Sequence, residues 1–94
     1  MAIGDFSCKE TKRIYDGDFS RKLPGQIQES ARRKLRIIEA AMKLEDLRVP
    51  PGNQLESLKG DRAGQHSIRI NQQWRICFVW DGDKAKKIEI VDYH

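Results

Sequence analysis

The chain predicts an α+β fold: N-terminal helices, one of them long, packed on one face of a mainly antiparallel sheet of four to five strands. Three observations carry this. An apolar stripe of helical period runs through residues 23–47. After Pro50 and Pro51 the apolar period changes from 3.6 to two. The elements also come in blocks, helices first and strands after, which separates α+β from the alternating α/β pattern.

Taken in order, residues 2–7 read as a short strand. "CKETKRIYDG" reads as a short helix starting at about Ser7, with Glu10 three residues on in capping-box spacing. Gly17 is placed to stop it. In "LPGQIQESARRKLRIIEAAMKLEDL" the residues Ile27, Ala31, Leu35, Ile38 and Met42 step by three or four and form one helix face. Ile37, Ala41 and Leu44 widen that face, while Glu29, Arg33, Arg36 and Lys43 lie opposite. Pro24 and Gly25 mark the start. The prolines of "RVPPGN" are expected to end the helix.

Beyond them, "HSIRIN", "WRICFVW" and "KIEIV" alternate apolar and polar residues and read as strands. "DGD" at 81–83 is a turn. A hairpin must place its apolar residues on one face, because a slip of one residue flips them all. Ile68 and Ile70 must therefore share a face with Trp74 and Ile76. This sets Ile70 opposite Trp74 across "NQQ", and Arg69 opposite Arg75 on the other face. With a loop over 81–85, Phe78 would face Ile88 and Arg75 would face Val91. The last strand is then central or near-central, and Tyr93 leaves it on the side of Arg69 and Arg75.

Ninety-four residues make one domain, 1–94, which buries roughly 60–65% of its unfolded surface. Any site is shallow. Lys and Arg number 18 against 14 acids, a net charge of +4. The excess is clustered: Lys59, Arg62, Arg69 and Arg75 face a single acid, Asp61, in 59–75, and "ARRKLR" holds Arg32, Arg33, Lys34 and Arg36. Such clusters point to a polyanionic partner, nucleic acid first, against the plainer reading of a solvated helix face for 32–36. Cys8 and Cys77 lack metal or CxxC spacing and read as apolar thiols of a reducing cytosol. No metal and no cofactor is expected. With no membrane-length apolar run and no secretion signal, the expected location is the cytoplasm.

Arg69 and Arg75 are candidates for a phosphate clamp, since the guanidinium fork fits phosphate oxygens and like charges opposite each other otherwise cost stability. Asp92, Tyr93 and His94 gather three proton-transfer groups at the last three positions. His66 and the tryptophans Trp74 and Trp80 read as structural. Glu56 reads as a solvent-facing carboxylate, and Gly60 and Gly64 as loop glycines.

"LESLKGDRAGQHSIRINQQWRICFVW" together with "EIVDYH" resembles the HigB-type toxins of bacterial toxin–antitoxin systems, within the RelE/ParE superfamily. The resemblance covers most of the chain. It implies an endoribonuclease that enters the ribosomal A site and cuts bound mRNA. Asp92, Tyr93, His94 and Arg75 match the family's catalytic group, and Lys59 matches an RNA contact, with Arg62 and Arg69 as further RNA-binding candidates. Glu56 stands where some relatives carry a catalytic histidine, so its role as a base is an open point. The implied partners are the ribosome, mRNA and a helix-turn-helix antitoxin of HigA type, with operator DNA reached only through the antitoxin and no membrane. Cleavage would be metal-independent, by attack of the RNA 2′-hydroxyl. The alternative is a non-enzymatic inhibitor of the same fold acting on gyrase or ribosome assembly, because fold alone does not fix the target.

Overall fold

The computed structural model describes residues 1–93. Two helices, α1 (Lys9–Tyr15) and α2 (Gly25–Ala40), precede four strands: β1 (Glu56–Ser57), β2 (His66–Arg69), β3 (Trp74–Asp81) and β4 (Lys84–Asp92). Short 3-10 turns over Leu44–Arg48, Pro51–Asn53 and Gly60–Arg62 connect them. The sheet is antiparallel in the order β1-β2-β3-β4.

The helical stripe packs as its spacing requires. Ile27, Ala31, Leu35 and Ile38 of α2 and Ile14 of α1 are buried against Ile68, Ile76, Phe78, Ile88 and Ile90 of the sheet. Trp74 and Trp80 pack against this core while only partly buried. Apolar burial of this kind is the main favourable contribution to folding.

The start of α1 differs from expectation. Its N-cap position is Cys8, without a side-chain cap bond. Ser7 instead donates to the Lys87 carbonyl, and Glu10 accepts from the Ser20 hydroxyl at 2.6 Å. Tertiary partners have taken both groups of the expected capping box. Gly17, at φ 95°, follows the helix as expected.

The end of α2 also differs. The helix stops at Ala40, well before Pro50 and Pro51. Ala41 is buried in an extended conformation, and Met42, expected on the core face, is 82% exposed. The cause lies downstream: the Asp46 carboxylate accepts the backbone N–H groups of Met42 and Lys43, and starts a separate turn that buries Leu47. Asp and Asn side chains offer the backbone this kind of alternative to a helix.

Register follows the alternation. Ile68 pairs with Ile76 and Arg69 with Arg75, and Ile70 donates its N–H to the Trp74 carbonyl at 2.8 Å. Arg75 lies opposite Val91 as expected. Beyond Cys77 the expected pairing of Phe78 with Ile88 is interrupted by a register shift, with Lys87 at φ 53°. The bulge has a sequence cause. Ile88 and Ile90 are even-numbered while buried Ala85 is odd, so one extra residue is needed to keep all three inside. The turn shrinks from the expected 81–85 to Gly82 and Asp83, with Gly82 at φ 67°.

β4 comes last in the order of the regular strands but is flanked on both sides, by β3 and by the N-terminal segment through parallel bridges from Ile3 to Ala85 and Phe6 to Ile88, which agrees with the near-central position expected of it. Residues 2–7 thus lie beside the sheet as isolated bridges rather than as a regular strand.

Candidate active site

Period-two alternation sends Ser67, Arg69, Arg75 and Cys77 to the sheet face away from the helices. Burial on that face is deep at Ser67, Arg75 and Cys77, an unusual place for a guanidinium. Arg75 is 7% exposed and held from several sides. Its Nε donates to the Ser67 hydroxyl at 2.7 Å, and Nη2 donates to the Gln54 and Ser67 carbonyls. The Glu56 carboxylate sits 3.7 Å from Nη2 on the short edge strand. The result is a fixed positive charge, the preorganisation that charge stabilisation requires.

Gln54 reaches Arg75 because it adopts a left-handed backbone conformation, φ 46° and ψ 59°, directly after the Pro51–Asn53 turn. Asn53 beneath it is fully buried and donates to the carbonyls of Leu47 and Val49. The whole 47–54 loop therefore supports the guanidinium.

The strand end that carries the other candidates is anchored by Gln73. Tyr93 donates its N–H to the Gln73 carbonyl at 2.6 Å, and the Gln73 amide donates to the Asp92 carboxylate at 3.1 Å. Asp92 pairs with Trp74, and Val91 with Arg75. Tyr93, next on the Val91 side of the alternation, is 41% exposed. His94 lies outside the described residues.

The remaining candidates divide. Arg69, opposite Arg75, donates to the Asn71 carbonyl. Lys59 is exposed at the head of the Gly60–Arg62 turn. Arg62 is engaged by Glu89 at 3.0 Å and by Gln65 at 3.1 Å. Glu89 pairs with Cys77, two residues along β3 from Arg75. His66 bonds the Ser57 hydroxyl at 3.3 Å and packs near Phe78, the structural role expected of it. Thus Glu56, Arg69, Arg75 and the Asp92–Tyr93 end gather at one end of the sheet, and Arg62 is engaged by Glu89 and Gln65. The sequence reading missed Gln54, Ser67 and Gln73 as the groups that fix them. Parity placed Ser67 on the Arg75 face; nothing local signals the Gln54 carbonyl. Among the described residues no cluster of three or more His, Cys, Asp or Glu has the arrangement to hold a metal ion.

Two helices on one face of a small antiparallel sheet, with a clamped arginine on the other, define a RelE-like toxin fold. The structure of the YoeB dimer from Staphylococcus aureus superposes with a TM-score of 0.59, covering 100% of this chain and 99% of that one at 19% identity. That likeness speaks for the fold. The family follows from sequence: the chain belongs to the HigB-like toxins, whose family model, described as the RelE-like toxin of the type II toxin–antitoxin system HigB, matches residues 4–94. Toxin HigB-1 of Vibrio cholerae is 42% identical over 81 residues, covering 85% of this chain and 84% of that protein. Endoribonuclease HigB of Proteus vulgaris is 29% identical over 92 residues, covering 98% and 99%. Membership in a toxin–antitoxin family implies an antitoxin partner.

Proposed function

We propose that this chain is a cytoplasmic endoribonuclease toxin that cuts mRNA in the ribosomal A site and is silenced by a helix-turn-helix antitoxin of HigA type. The buried, multiply bonded Arg75 beside the anchored Asp92–Tyr93 strand end is the observation that carries this reading. The name of the Proteus relative supports it.

Cleavage proceeds by attack of the RNA 2′-oxygen on the adjacent phosphorus. The P–O2′ bond forms and the P–O5′ bond breaks, leaving a 2′,3′-cyclic phosphate and a 5′-hydroxyl. A base, His94 or Asp92 with Glu56 as the third candidate, takes the 2′-hydroxyl proton. An acid, His94 or Tyr93, returns a proton to the departing 5′-oxygen. Each transfer contributes roughly 10²–10⁴-fold. Arg75 faces the extra negative charge of the pentacoordinate phosphate, assisted by Arg69 and Lys59. Every step uses side-chain protons and charge and no metal. So small a set of groups suits an enzyme whose substrate is oriented by the ribosome.

Primer extension on translating ribosomes tests the proposal. Wild type should create new 5′ ends within messages, while Arg75→Ala and a chain lacking His94 should not. Growth arrest by wild type without new ends would replace the proposal with a non-enzymatic inhibitor of gyrase or ribosome assembly.

A further inference from the structure

The turn between β2 and β3 does more than close a hairpin. Ile70 and Asn71 both donate their N–H groups to the Trp74 carbonyl, at 2.8 and 3.2 Å, which sets a loop of Asn71, Gln72 and Gln73. Within it the Asn71 side-chain Oδ1 accepts the N–H groups of Gln73 and Trp74, each at 2.8 Å. An Asn side chain that bonds the backbone two residues on is a common way to fix a turn. All three loop residues are exposed, so their side chains add nothing to the core.

What the loop holds lies outside it. The Asn71 carbonyl accepts from Arg69 Nε at 3.1 Å. The Gln73 amide donates to Asp92 Oδ2 at 3.1 Å, and the Gln73 carbonyl accepts the Tyr93 N–H at 2.6 Å. Tyr93 lies one residue beyond β4, where the Trp74–Asp92 pair ends the regular ladder. The loop therefore carries the pairing one step further and fixes Arg69, a cation, relative to Asp92 and Tyr93, the proton-transfer candidates. Gln73 makes its two contacts from a backbone whose own N–H is tied to Asn71, so the aim of Gln73 follows from Asn71. We infer that Asn71 and Gln73 are positioning residues of the cleavage reaction: Gln73 sets where Asp92 and Tyr93 stand, and Asn71 acts through Gln73. This rests on the proposed RNA chemistry and deepens it. A carboxamide neither gives nor takes a proton near neutral pH, so both roles lie in orientation. Misplacing a reacting group by about 1 Å can cost about 10²-fold in rate.

Single-turnover cleavage on programmed ribosomes, run over a range of ribosome concentrations, separates the maximal rate from half-saturation. Gln73→Met removes the bond to Asp92 while keeping the side-chain length and the backbone bonds. It should lower the maximal rate by about 10–10²-fold, with half-saturation and the urea midpoint close to wild type. Asn71→Ala should lower the maximal rate at least as much, and Asn71→Asp, which keeps the accepting oxygen, should restore it. The double variant Asn71→Ala, Gln73→Met should cut no more slowly than Asn71→Ala alone, because one residue acts through the other. A Gln73→Met maximal rate within about threefold of wild type, with Arg75→Ala inactive, would overturn the positioning role and leave the active-site reading standing. Additive losses in the double variant, or an Asn71→Asp no faster than Asn71→Ala, would overturn the part given to Asn71. A wild type that does not cut, or an Arg75→Ala that cuts as well as wild type, would overturn the reading of the site itself.

Discussion

Replacing Arg75 by alanine should cost both stability and activity, and the structure separates the two. The guanidinium makes two close charge-assisted hydrogen bonds, to the Ser67 hydroxyl and the Gln54 carbonyl. Such bonds contribute about 1.5–3 kcal/mol each. Gln54 is exposed and regains water when Arg75 is removed, whereas Ser67 is fully buried and does not, so the lower part of that range applies to the first and the middle to the second. The Glu56 pair adds little, because that carboxylate is half-exposed and screened. The sum is about 3–4 kcal/mol. For a domain of this size that lowers Tm by about 12–30 °C. The rate effect is independent: losing the charge-stabilising donor costs roughly 10²–10³-fold. Urea denaturation gives the first quantity. Single-turnover cleavage on programmed ribosomes, at a temperature where the variant remains folded, gives the second. Arg75→Lys keeps the charge but reaches fewer acceptors, and should recover part of each. A folded Arg75→Ala that cuts within about threefold of wild type would refute the catalytic assignment and leave Arg75 a structural residue.

Other expectations follow from single contacts. Glu56→Gln removes an exposed partner of Arg75 and should change stability by less than about 1 kcal/mol; with Asp92 or His94 as the base, cleavage should stay within about tenfold, and a loss of 10² or more would make Glu56 the base. Cys77 is fully buried and burial raises its thiol pKa, so in a thiol titration Cys8 should react first and Cys77 only on unfolding; equal rates would contradict that burial. The Asp46 carboxyl is held below the ordinary carboxylate value by the N–H groups of Met42 and Lys43. Its folded form binds protons less readily than the unfolded chain, so this contribution is complete above the ordinary carboxylate pKa and disappears as pH falls through the depressed one. In paired melts, Asp46→Asn should therefore reduce the loss of stability on acidification, and identical acid profiles would count against the turn described.

Much of the fold was legible because period-two alternation and hairpin parity are strong constraints. They place Arg69 opposite Arg75 and Val91 opposite Arg75, as the sheet has them. The bulge at Lys87 was also written in the sequence, as the change of phase between Ala85 and Ile88, yet a single parity carried through the hairpin overlooks it. The premature end of α2 was harder to read. Helical periodicity persists past Ala40, and only the Asp46 carboxylate, acting across a turn, decides otherwise. For the site, residue type and resemblance marked Arg75 and the Asp92–Tyr93–His94 group. The groups that hold them were not legible: the Gln54 carbonyl is a backbone atom whose aim depends on a left-handed φ, and Gln73 acts from a loop.

The most direct test asks whether the RNA itself supplies the attacking group. A message carrying a single 2′-deoxynucleotide immediately 5′ of the mapped scissile phosphate is placed on ribosomes with the wild-type protein. The account predicts that cutting at that position stops, and that the unmodified message yields a 2′,3′-cyclic phosphate and a 5′-hydroxyl. Cleavage of the deoxy-substituted message at an undiminished rate would contradict it.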